Sequence, residues 1–296
     1  MNILGVKSTW VIVMGVIFSL MLGWAPPGRA DEVQPEKPET KAEEAKGPEK
    51  PTWNVGTDIL SQYVWRGIAL SRNSAVIQPS ITGTYKGIAV NVWNNFDATE
   101  QNPYSRTRPN DKKMRWNETD LTLSYTREVI KNFTLTGGLI YYILSGANSQ
   151  YNSLEIYAGA DYKLPWLNFG VNVYREVNRY PGTFLQWYIH RAIDIPWIEG
   201  MNLDLLASWS AEFSNDKAAY PVFDSSGNPE NKYYQSLHAG YLGATLNIPL
   251  GKYVVVAPKI QYWYGLGGQS TGTLRALSWD GQQNHLLGGI NLAVNF

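Results

Sequence analysis

The 296-residue chain has no cysteine, which excludes a disulfide scaffold, a thiolate metal centre and a thiol nucleophile. Histidine is nearly absent as well. His190, His238 and His285 are the whole set and lie far apart in sequence, so no metal-ligand spacing can be read. Ser236 would share a strand face with His238, but an i, i+2 pair arises readily by chance, and the sequence reads as non-enzymatic with no cofactor. Charge of either sign is not in excess, with 25 Lys and Arg against 25 Asp and Glu, so no nucleic-acid-binding surface is expected. Long apolar runs are missing after Trp24, and a mean hydropathy of -0.28 offers no membrane-spanning helix in the body of the chain.

The one long apolar run, Trp10 to Trp24, follows Lys7 and precedes Gly28-Arg29-Ala30, with no acid before Asp31. That arrangement reads as a secretory signal peptide over residues 1–30, cleaved after Ala30, with an uncleaved anchor as the alternative. Cleavage leaves 23 bases against 25 acids. Residues 31–52 are dominated by Glu, Lys and Pro, and hold too little apolar surface to offset the entropy of ordering. They are expected to form a disordered periplasmic linker, and contact with peptidoglycan or a periplasmic protein is the functional alternative.

From Trp53 onward the pattern changes to alternation. Trp53, Val55, Thr57, Ile59, Ser61, Tyr63 and Trp65 share one mostly apolar face; Asn54, Gly56, Asp58, Leu60, Gln62, Val64 and Arg66 share the other. Leu121, Leu123 and Tyr125 alternate with Glu118, Asp120, Thr122 and Ser124, and comparable segments recur to the C-terminus. Their connections alternate between long polar loops and tight turns such as Tyr85-Lys86-Gly87 and Pro249-Leu250-Gly251. Period-two apolar patterning with alternating loop lengths predicts an all-β fold. It is a transmembrane antiparallel up-and-down β-barrel of about twelve strands over residues 53–296, with both termini periplasmic. The expected location is the outer membrane of a Gram-negative bacterium. Outer-membrane lipids are then partners, and Phe296 on the lipid-facing side of the last strand would be the signal for barrel assembly machinery.

Two positions strain this reading. Arg191 falls on the face of Trp187, Ile189 and Ile193, which requires either snorkelling to the rim or a bulge. The stretch Tyr233 to Ile248 changes face partway, which points to a bulge near Gly240 or Gly243. Gly265 to Gln282 reads as a flexible loop, and Asp224, Asn228 and Glu230 as a solvated one lacking the full calcium-loop spacing.

Ser61-Gln62-Tyr63-Val64-Trp65-Arg66-Gly67, followed by Gln78 and by Trp93-Asn94-Asn95-Phe96-Asp97, resembles a motif of a family of uncharacterised proteobacterial outer-membrane proteins. Gln62 and Pro79 depart from the usual residues of that motif. The resemblance implies an exported porin-like barrel, with Arg66 at the extracellular end of the first strand, on the lumen side, able to pair with an inward acid.

Function is expected to reside in the lumen. Its candidate lining residues are Asp58, Glu118, Asp120, Glu155, Asp161, Glu176, Asp204 and Glu212, with Arg66 and Lys259 as the inward bases. Such an excess of carboxylates favours cations. The expected function is a channel for passive diffusion of small solutes. The alternative is a non-conducting structural or adhesive barrel that binds a partner through its loops.

Overall fold

The computed structural model describes residues 50–103, 112–144, 152–224 and 227–296. The segments expected to be a signal peptide and, for the most part, a linker therefore lie outside the described residues. In chain order the elements are β1 (Thr52–Leu60), β2 (Val64–Trp65), β3 (Ile68–Ala69), β4 (Val76–Tyr85), β5 (Ile88–Asp97), β6 (Arg115–Ile130), β7 (Phe133–Leu144) and β8 (Ser153–Lys163). They continue with β9 (Asn168–Glu176), β10 (Gly182–Asp194), β11 (Asn202–Ser214), β12 (Val222–Phe223), β13 (Pro229–Glu230), β14 (Gln235–Leu250), β15 (Val254–Gly265), α1 (Gly268–Leu277) and β16 (His285–Asn295).

Twelve of these strands close into one antiparallel barrel, in the order β1-β16-β15-β14-β11-β10-β9-β8-β7-β6-β5-β4 and back to β1. Closure satisfies every strand edge, which a structure immersed in hydrocarbon requires. At the seam Trp53 and Phe296 exchange backbone hydrogen bonds, at 2.7 and 2.9 Å. Both ends of the described chain therefore sit on the tight-turn side. There Lys86 and Gly87 carry φ of 50° and 81°, the left-handed pair that matches strand twist in a two-residue hairpin.

The alternation works as written in the sequence. On β6, Leu121, Leu123 and Tyr125 are exposed while Asp120, Thr122 and Ser124 are buried. Val90, Leu139, Ile156, Ile260 and Leu292 extend the same outer apolar surface. Aromatics ring it at two levels, Trp53, Tyr85, Tyr125, Tyr162, Trp166 and Tyr253 near the tight turns and Trp116, Tyr141, Phe213 and Tyr262 near the long loops. An apolar band between aromatic girdles suits a bilayer with its two interfaces.

Both strained positions have a structural explanation. β10 pairs continuously with β9 and β11, so no bulge exists at Arg191. Its guanidinium instead reaches toward the turn side, 3.5 Å from the Trp166 carbonyl. The face change in β14 is a bulge, because Trp209 pairs with Gly240 but Ala211 pairs with Leu237. One extra residue at His238–Ala239 moves the outer face from Leu237 to Leu242.

Two expectations need correction. The first strand does not run through to Arg66. It ends at Leu60, and Val64–Ala69 form a separate hairpin, β2–β3, folded into the barrel mouth. Gly265 to Gln282 is not a plain loop, since it contains α1. The sequence GQSTGTLRAL has weak helix propensity. The helix is held by packing, with Leu274 fully buried against Ile68, Tyr220, Val222 and Tyr234.

Candidate functional site

Within the β2–β3 hairpin, Val64 pairs with Ala69 and Trp65 with Ile68, leaving Arg66 and Gly67 as the two turn residues. Their φ values of 50° and 84° again make a left-handed pair. Gly67 is required twice over, because a Cβ there would also stand 2.8 Å from the Ala239 Cβ. This tight turn aims Arg66 into the barrel.

Arg66 meets Glu155 of β8 in a bidentate pair, Nη1 to Oε1 at 2.8 Å and Nη2 to Oε2 at 2.7 Å. The Tyr142 hydroxyl donates to Glu155 Oε2 at 2.8 Å. Aromatic rings enclose the guanidinium, with Cζ 4.1 Å from the Phe184 ring, 4.4 Å from Trp65 and 5.0 Å from Tyr174. Arg66 is 7% exposed and Glu155 3%, so water does not screen the pair. A charge buried this deeply persists only when fully partnered, and the planar fork of arginine fits both the carboxylate and the stacked rings.

Around this pair an apolar layer fills the long-loop half of the lumen. Ile140, Tyr142, Tyr157, Tyr174 and Phe184 come from the wall. Ile68, Tyr220, Val222, Tyr234 and Leu274 come from the inserted hairpin, the β11–β14 connection and α1. Leu60, Tyr63, Val64, Ala69, Val76, Trp93 and Leu287 form a second packed group beside it.

The ten residues proposed from sequence divide by depth. Glu118, Asp120, Glu155, Glu176 and Glu212 lie in the long-loop half and are buried. Glu176 accepts the backbone N–H groups of Asn178, Arg179 and Tyr180 and the Ser153 hydroxyl, so it fixes the β9–β10 loop. Asp58, Asp161 and Asp204 keep partial exposure. Asp58 pairs with Lys259 at 2.7 Å, and Asp161 accepts the Tyr188 hydroxyl. Asp204 accepts from the Asn247 amide at 2.7 Å and lies 3.9 Å from His190 Nε2. Of the ten, the structure gathers Arg66, Glu155, Glu176 and Glu212 at one level, Glu176 as the register partner of Glu155 and Glu212 within electrostatic reach of both Arg66 and Glu155, and joins Asp58 with Lys259 in a separate pair. Glu118, Asp120, Asp161 and Asp204 lie elsewhere on the wall.

Sequence reasoning did not find the aromatic cage. Tyr142, Tyr174 and Phe184 carry no motif, and their only signal is an inward position on a strand. Nor is a metal site present: no group of three or more His, Asp or Glu side chains is arranged for one among the described residues. Asp224 instead caps its own turn by accepting from the Asn228 backbone at 2.8 Å, and Glu230 pairs with Lys232 at 2.7 Å.

Among solved structures, the chain is similar to the NanC porin at 11% identity and a TM-score of 0.48, covering 82% of this chain and 98% of that one. It is similar to the COG4313 outer membrane channel from Pseudomonas putida F1 at 10% and 0.44, covering 90% and 100%, and to the KdgM porin at 10% and 0.42, covering 82% and 98%. The fold assignment rests on the closed strand order itself. No curated protein matches. A family model described as a bacterial protein of unknown function matches residues 42–199, a span that includes β1, the inserted hairpin and Glu155. The chain therefore belongs to the Gcw_chp family of bacterial proteins of unknown function.

Proposed function

We propose that this protein is an outer-membrane, porin-like barrel that passes small solutes, with a net acidic interior that favours cations and the Arg66 hairpin setting its narrowest point. The observation that carries the proposal is the sorting of side chains. An apolar belt faces outward, while inward positions hold eight carboxylates, among them Glu155 paired with Arg66 and Asp58 paired with Lys259. Carboxylate rings attract cations in a confined path. Asp58 and Asp204, in the half nearer the tight turns, retain contact with solvent, as a wet vestibule requires.

In this reading the tight turns and both ends face the periplasm and the long loops face outward. The leader over residues 1–30 directs export, Phe296 is presented to barrel assembly machinery, and residues 31–52 span the periplasm toward peptidoglycan or a periplasmic protein. Planar-bilayer recording of the purified barrel tests the function. Discrete steps with cation selectivity support it; a silent barrel at every voltage refutes it.

The packed layer around Arg66 favours one second reading, a barrel sealed at its long-loop end whose outer loops bind a partner. A silent recording that stays silent after Arg66 is replaced is the outcome specific to that reading.

A further inference from the structure

The lumen reading leaves one cluster of chemically capable side chains unused. Ser278 caps the end of α1, Asp280 lies two residues on, and His285 opens β16. The Ser278 hydroxyl is 3.4 Å from His285 Nε2, and His285 Nδ1 is 3.3 Å from Asp280 Oδ2. This is the order of a nucleophile, a base and an orienting carboxylate, each on the correct ring nitrogen. Asp280 is fixed by two further donors, the Gln62 amide at 2.7 Å and the Gln282 backbone at 3.0 Å. Ser278 Oγ accepts the Ala69 N–H at 3.0 Å, which sets its rotamer and leaves its proton for the imidazole.

A second, independent observation lies directly across the sheet. Trp263 is the register partner of His285 on β15, so its side chain shares the inward face. Its indole N–H is buried and has no hydrogen-bond partner among the described residues. A buried donor left unpaired forfeits the hydrogen bond it had in water, and an oxyanion forming beside His285 is the kind of group that would satisfy it. Leu60, Tyr63 and Leu287 make the adjoining wall apolar, which suits a hydrocarbon chain.

We propose that Ser278, His285 and Asp280 form an acyl-transfer site that cleaves carboxylic esters of apolar acyl groups, with Trp263 as an oxyanion donor. Ser278 Oγ attacks the acyl carbon as its proton passes to His285 Nε2. The bond to the alcohol oxygen then breaks, and the alcohol leaves with that proton. Water, deprotonated by His285, attacks the acyl-serine and releases the carboxylic acid, returning the proton to Ser278. Asp280 stays ionised and holds His285 Nδ1–H throughout. Ser278 is 3% exposed, and Gly281 and Gln282 of the turn that follows it are exposed, so entry of the ester requires that turn to move.

The test uses the full barrel refolded in detergent micelles and a fluorophosphonate probe, with adducts mapped by mass spectrometry. The expected result is one phosphonyl group on Ser278, with labelling at least about a hundredfold slower in His285→Ala. Turnover of a short-chain p-nitrophenyl ester should fall in Trp263→Phe through kcat with KM retained, as expected for a donor engaged only in the transition state. An unlabelled Ser278 in the folded wild-type barrel overturns the proposal, as does labelling equally fast in His285→Ala. Mapping on the wild type needs no variant to fold, and bilayer conductance is read separately from it.

Discussion

Arg66 and Glu155, 89 residues apart in sequence, meet as a bidentate pair inside a ring of Trp65, Tyr174 and Phe184. The pair fastens an inserted hairpin to the barrel wall. Each partner would be costly alone, since a buried charge without its counter-ion loses solvation and gains nothing in return.

Removing one partner should therefore release the hairpin. Glu155→Ala is expected to destabilise the inserted segment by about 3–5 kcal/mol while the barrel wall stays closed. Arg66→Lys should restore little, because a point charge replaces the fork and the stacked plane. Hydrogen exchange at Val64–Ala69 should accelerate in both variants while exchange in β6 and β7 is unchanged. Single-channel conductance should rise in the same variants.

The charge of the lumen should be adjustable without disturbing the wall. Neutralising Glu118, Asp120 and Asp204 together, as Gln and Asn, is expected to reduce cation selectivity, read as a reversal potential moving toward zero in a salt gradient. Lys259→Met should leave Asp58 unpaired and move the potential the opposite way.

The outer face should tolerate charge according to depth. Leu123→Arg, in the middle of the apolar band, is expected to cost about 2–4 kcal/mol in a denaturant titration in lipid. Arg191→Leu should change stability by under about 1 kcal/mol, because Arg191 already lies near the turn-side rim.

A pH effect is expected at the loop that carries Asp280. Burial raises the affinity of this carboxyl for a proton, but hydrogen bonds from His285, the Gln282 backbone and Gln62 outweigh burial and hold it below the ordinary aspartate range. A carboxyl depressed in the folded state stabilises that state above its unfolded pKa, and the contribution fades as pH falls through the folded value. Protease resistance of the Ser278–Asn284 segment should thus be constant from neutrality to about pH 4 and decline below it. Asp280→Asn should remove that acid-dependent decline.

The barrel wall was legible because its signal repeats every two residues over strands of 9 to 16 residues, and solvent and lipid impose opposite demands on the two faces. Even the bulge at His238–Ala239 announced itself through the change of face between Leu237 and Leu242. The inserted hairpin was not legible. Ile59-Leu60, Ser61-Gln62 and Tyr63-Val64-Trp65 break the alternation, but Tyr63 and Trp65 resume on the face of Trp53, Val55 and Ile59, so the break at Leu60 does not read as the end of the strand. The need for an acid beside Arg66 followed from the resemblance, but which acid depended on a turn aimed across the lumen. Helix α1 was hidden for a related reason: two glycines and three hydroxyl residues within GQSTGTLRAL argue against a helix, and burial of Leu274 decides the matter.

The most direct test uses the absence of native cysteine. Single cysteines at positions 121, 122, 123 and 124, spin-labelled in a lipid bilayer, report contact with oxygen from the membrane and with a water-soluble nickel chelate. Alternation is expected, with 121 and 123 accessible to oxygen and 122 and 124 shielded from it. Uniform accessibility to the chelate at all four positions would contradict a cylinder wall that separates lipid from a polar interior.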